Sequence, residues 1–276
     1  MLVRFVIVIS LAMIGHFLSS AKLHAGIVVS SATRHAHQWL YSSDTSTGTQ
    51  DRFFGYFDMT GTGTFDHSNT FTNSLPLASG TSNFSHQSVL TATADYLNFS
   101  GTLSSSTSAE ASNDGVVWHY GGTQWSARAS ADLIFQVTEL THFRLEAQTV
   151  LVHELSTSGS AYIALGTGGT FSSPGPSNPD IAAVGKSWGS AGAGSWGHSA
   201  PTASGIFEGT LLPGSYEFHV QVVDGDSVSG YGGASSLATT RSATFNLTLS
   251  SVPEPSAMLL VGSVVAGFVC RRRKRV

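Results

Sequence analysis

One cysteine, Cys270, stands in the whole chain of 276 residues. A lone thiol excludes an intramolecular disulfide and any cysteine-based zinc site. Charge is scarce as well, at 11% of residues against 41% apolar content, which excludes a disordered polyelectrolyte. Strong helix formers are too few for a coiled coil or helical bundle. Bases are scarcest in the middle of the chain, where residues 26–252 hold six against sixteen acids. So acidic a body disfavours nucleic acid and anionic membrane surfaces, which offer it no counter-charge. Gly, Ser and Thr are abundant instead, with 30, 43 and 27 residues, about a third of the chain.

The two ends read as addresses. Arg4 precedes an apolar run over residues 5–18, and small residues follow, with Ser19 and Ala21 in cleavage-site spacing and Ala25 as a second candidate. That order predicts a secretory signal peptide over 1–25, a helix too short to span a bilayer that needs about 20 residues. Near the other end come Val252, Pro253, Glu254 and Pro255, a largely apolar stretch over 257–270, then Arg271, Arg272, Arg273, Lys274 and Arg275. The prolines break any upstream helix, and the bases act as a membrane stop that stays cytoplasmic. Fourteen residues of helix rise about 21 Å, short for a bilayer core of about 30 Å. A transient transmembrane helix suits that length better than a permanent anchor.

This three-part tail, over 251–276, resembles the PEP-CTERM sorting signal: a Pro-Glu-Pro motif, a short helix and an Arg-rich end. The resemblance implies recognition and removal by an exosortase-like processing enzyme. It further implies export by a Gram-negative bacterium that makes extracellular polysaccharide, as in a biofilm, with the membrane held through the helix before processing. It says nothing about the body.

The body, 26–250, shows period-two alternation in several stretches, the mark of half-buried strands. Residues 127–137 place Ala127, Ala129, Ala131, Leu133, Phe135 and Val137 on one face; Phe143, Leu145, Ala147, Thr149 and Leu151 alternate in the next stretch, and the two read as a hairpin. Tyr216, Phe218, Val220 and Val222 form another strand, and Phe245, Leu247 and Leu249 a last one running into the tail. Many strands without intervening helices predict an all-β fold, a single antiparallel β-sandwich or jelly roll. Residues 42–88 read as turn-rich, with Phe53, Phe54, Tyr56 and Phe57 as packing anchors; 167–204 read as surface loops.

Catalytic motifs are weak. Residues 185–189 match the nucleophile-elbow pattern without its strand-turn-helix context, as expected of chance in so Gly- and Ser-rich a chain. His153 and Glu154 begin a zinc-protease motif whose second histidine is Thr157. His35 and His37 form a metal pair if they share a strand face, and Asp224 and Asp226 are weak calcium candidates. No metal site and no cofactor is expected. Aromatic rings stack on sugars, which marks Trp118, Tyr120, Trp125, Trp188 and Trp196 as ligand-stacking candidates. The leading expectation is an exported, non-enzymatic cell-surface or matrix protein. Two alternatives stand beside it: a carbohydrate-binding module, with ice-binding behind it because threonines are scattered, and a secreted glycoside hydrolase or other hydrolase with a dispersed carboxylate pair.

Overall fold

Alternating apolar residues fold into long strands that bury one face each. The structure, a computed structural model, describes residues 26–153, 159–168, 171–172, 175–176, 181–186 and 202–252. The expected signal helix and the tail beyond Val252 lie outside the described residues. The first sheet runs, in spatial order, β11 (Ala182–Lys186), β8 (Gly159–Thr167), β13 (Gly214–Ser229), β6 (Gly121–Val137), β1 (Ile27–Asp44) and β2 (Thr49–Thr60). The second runs β12 (Thr202–Leu211), β7 (Thr141–His153), β14 (Ser235–Ser251), β5 (Tyr96–Ala111), β4 (Ala78–Ala92) and β3 (Gly63–Leu75). A small hairpin joins β9 (Phe171–Ser172) to β10 (Gly175–Pro176). Every pairing is antiparallel, and the described residues contain no helix.

The sheets meet through their apolar faces. Phe99, Phe218 and Phe245 interlock between them, with ring centroids 5.0 to 5.9 Å apart, and Leu133 and Phe135 are fully buried beside them. Edge-to-face rings at that separation add to the free energy of burial itself.

Four expectations need correction. The stretches 127–137 and 143–151 are both strands, β6 and β7, but they lie in different sheets and do not pair. Residues 138–140 carry the chain across the sandwich, where two alternating strands bury their apolar faces toward each other as readily as side by side. Residues 42–88 hold most of three strands, β2, β3 and β4, not loops. There, hydroxyl and amide side chains occupy strand positions that face water, so polarity imitates a loop. Phe54 and Tyr56 are 69% and 65% exposed and anchor nothing in the core, whereas Phe53 stacks on Phe71 at 5.6 Å. The stretch 167–204, read as loops, contains β9, β10, β11 and the start of β12.

A polar layer crosses the interior. Asp224, fully buried, is ion-paired with Arg241 and accepts hydrogen bonds from Thr239, Ser105, Thr107 and the Trp125 indole, the last at 3.3 Å. Arg34, also buried, donates to the carbonyls of Gly61 and Gly63. Both glycines adopt positive φ, 89° and 107°, in the turn between β2 and β3 that brings those carbonyls inward. Burial lowers the Arg241 guanidinium to about 10. Charges this deep persist because each is hydrogen-bonded.

Candidate functional site

β1 and β2 form the end of the first sheet, and their outward residues are aromatic. The register sets Trp39 opposite Phe54, His37 opposite Tyr56 and Tyr41 opposite Arg52, all on the face turned away from the core. Why the chain does this is visible locally. Ala36, Gln38, Leu40 and Ser42 point inward, so the intervening His37, Trp39 and Tyr41 must point out. The Arg52 guanidinium lies 4.9 Å from the centre of the Tyr41 ring, and His37 meets Tyr56 edge to face at 6.0 Å. Beside β1, the outward residues of β6 are Gln124, Ser126 and Arg128. The Gln221 side-chain oxygen accepts from Arg128 at 3.0 and 3.2 Å when its amide is oriented to suit both groups. The result is an aromatic row with hydrogen-bonding side chains along one flank. His37 is held below the ordinary imidazole range, first by burial and then by the charge of Arg128, so it is neutral at pH 7.

A second aromatic group caps one pole of the sandwich. Trp118 is 70% exposed and sits at φ 71°, a conformation that a bulky residue rarely adopts. Thr45 donates to the carbonyls of Trp118 and Tyr120 at 2.7 and 2.9 Å, and Asp114 pairs with His119 at 3.0 Å, which together hold this loop. Tyr231 completes the cap, 6.2 Å from Trp118 and 5.4 Å from Tyr120. The described residues begin and end at the opposite pole: Ile27 bonds to Ala94, Ser251 to Asp95 and Val252 to Leu140. His37, Trp39 and Tyr41 lie ten to fourteen residues along β1 from Ile27, roughly 33 to 46 Å at about 3.3 Å per residue.

The sequence-predicted residues scatter. Trp118 and Tyr120 do come together at the cap, but Trp125 is buried against Asp224. Trp188 and Trp196 lie outside the described residues, as do Pro253, Glu254, Pro255 and the five bases; Val252 is exposed at the strand end. Asp224 spends both oxygens on Arg241 and its neighbours, and Asp226 accepts from the Ser227 amide, which leaves no calcium cage between them. His35 and His37 share a face, yet His35 is bound to Asp58 at 2.6 Å, and no cluster of three metal-ligating side chains occurs among the described residues. On the same sheet face, the carboxylates Asp132 and Glu217 are both buried, and Asp132 is paired with His219. Sequence reasoning missed Trp39, Tyr41, Phe54 and Tyr56 as a group. Their two-residue spacing on either side of the turn at 45–48 was the available signal.

The outward face of the second sheet is different in kind. Its register aligns Thr70, Asn83, Ser106 and Thr240 in one row, and Ser68, Ser85, Ser104 and Ser242 in the next. Those rows mix hydroxyls and amides and hold no aromatic ring.

Val252, at the end of the described residues, is exposed and donates its backbone N–H to the Leu140 carbonyl. Residues 251–274 match the PEP-CTERM protein-sorting motif. The PEP-CTERM motif implies an exported protein, anchored transiently in the membrane and processed by an exosortase. No curated protein and no solved structure matches the chain.

Proposed function

We propose that the protein is a non-enzymatic, exported cell-surface or matrix protein that holds extracellular polysaccharide on the aromatic row of β1 and β2. The observation that carries this reading is the row itself: half-buried Trp39 and Tyr41 with exposed Phe54 and Tyr56 on one outward face, flanked by Gln124 and Arg128. Solvent-facing rings are costly unless something covers them, and a pyranose ring offers an apolar face of matching shape with hydroxyls at its rim. Distance from the tail supports the reading further. Ile27 and Val252, from which the signal peptide and the sorting tail continue in sequence, lie at one pole, and the row lies roughly 33 to 46 Å from Ile27 along β1. Polysaccharide in a biofilm matrix is the ligand class that such a place would meet.

The test is a glycan array probed with protein released from the cell surface. Binding to polysaccharide that is lost when Trp39 and Tyr56 are both replaced by alanine is the expected result. Binding that survives this double change would move the site elsewhere, and an array without any signal would remove the reading. Sorting is checked separately, by comparing the mass of the surface protein from hosts with and without an exosortase. Replacing Pro253, Glu254 and Pro255 by alanine is expected to block the mass change and leave export intact.

A further inference from the structure

The six bases of residues 26–252 are distributed with a bias that the aromatic row alone does not require. Arg34 and Arg241 are buried in the interior, Arg144 is ion-paired with Glu146 and Glu208 on the second sheet, and Lys186 ends β11, at the opposite edge of the first sheet from β2. Arg52 and Arg128 stand at two corners of the aromatic row, and neither forms an ion pair with a carboxylate among the described residues. Arg52 lies over Tyr41, and Arg128 meets the neutral amide of Gln221. Asp58, on this row, is hydrogen-bonded to His35 at 2.6 Å, and the other acids of this sheet face, Asp132 and Glu217, are buried beneath the surface. A body with sixteen acids and six bases therefore keeps two uncompensated guanidiniums on the one face that is also aromatic.

We infer that the aromatic row takes an acidic polysaccharide, a polymer of uronic acid units whose carboxylates land on Arg52 and Arg128. The inference rests on the sugar-binding reading above and adds the charge of the ligand to it. Two strands and four residues separate the two arginines, about 16 Å from strand spacing and rise. One sugar cannot reach both, whereas a chain lying across the rings can. The rings supply contact area, and the guanidinium planes supply paired donors that match a carboxylate. A neutral glycan would use the rings and leave both charges idle. The acidic remainder of the body would repel such a polymer everywhere else, which confines it to this face.

The experiment measures binding of the exported protein to polygalacturonate and alginate, to the same polymers with their carboxylates reduced to alcohols, and to single-stranded DNA. The intact protein is expected to bind each polyuronate roughly tenfold more tightly than its reduced form, as two solvent-exposed charge contacts allow. The gap should shrink as salt rises. Arg52→Gln with Arg128→Gln should close it, while Arg52→Lys with Arg128→Lys should keep most of it because the charge remains. Equal binding of the acidic and reduced polymers, or a preference that survives the glutamine pair, overturns the inference. In that case, loss of the remaining binding in Trp39→Ala would still uphold the row as a neutral glycan site. DNA binding as tight as polyuronate binding would assign the row to anionic polymers with stackable rings in general, and would overturn the uronate assignment. Binding to neither polymer form removes both the inference and the sugar-binding reading.

Discussion

The two outward faces of the sandwich obey the same alternation and carry opposite chemistry. On the first sheet, the face over β6, β1 and β2 shows Trp39, Tyr41, Phe54 and Tyr56 with two guanidiniums that have no carboxylate partner among the described residues; on the second, rows of Ser, Thr and Asn run across β3, β4, β5 and β14. The second face is what folding alone asks of a solvent-facing sheet, because hydroxyls and amides cost nothing in water and join in cross-strand pairs such as Thr70 with Asn83 at 2.9 Å. The first face departs from that solution. Phe54 and Tyr56 are exposed beside half-buried Trp39 and Tyr41, and rings that gain so little burial, concentrated on one sheet, mark contact with something outside the chain.

The contrast can be broken most severely from within. Asp224→Ala removes the buried carboxylate that pairs with Arg241 and accepts from Thr239, Ser105, Thr107 and Trp125, and is expected to cost about 3–5 kcal/mol and to abolish both faces by unfolding; urea unfolding measures it. Acid acts next. Burial, chiefly, lowers the His86 imidazole to about 4, so the unfolded chain takes up a proton that the folded chain refuses. Stability should therefore fall as pH drops from about 6.5 to about 4, by about 3 kcal/mol in total. A His86→Gln variant whose stability keeps the same slope over that window would show that another group is responsible.

Smaller changes separate the faces. Trp39→Ala should weaken polysaccharide binding about tenfold, on the order of 1.4 kcal/mol. The thermal midpoint should report folding independently; a loss of binding seen only where the midpoint collapses would demote Trp39 to a packing residue. Ser104→Ala on the second sheet should change stability by less than about 0.5 kcal/mol and leave binding as it was. A measurable drop in binding there would mean that the hydroxyl rows are a ligand surface too, and the contrast would dissolve.

Much of the core was legible beforehand. Leu133, Phe135, Phe218 and Phe245 were expected inside from alternation alone, and all four are buried. The ligand face was less so, because Trp118 and Trp125 look alike in sequence while one is exposed and the other buried beside Asp224. Tryptophan is suited to either place, having an apolar body and one polar donor.

Alternation, a local property, determined which residues face inward along each strand, and the order of motif, apolar stretch and bases determined the sorting tail; both are read along the chain and need no partner. Pairing was decided elsewhere. Whether β6 folds back on β7 or crosses the sandwich, and whether Trp39 meets Phe54, depends on contacts between residues far apart in sequence. The same alternating pattern satisfies burial in several registers and in either sheet, so only the packed structure selects one and brings the aromatic row together.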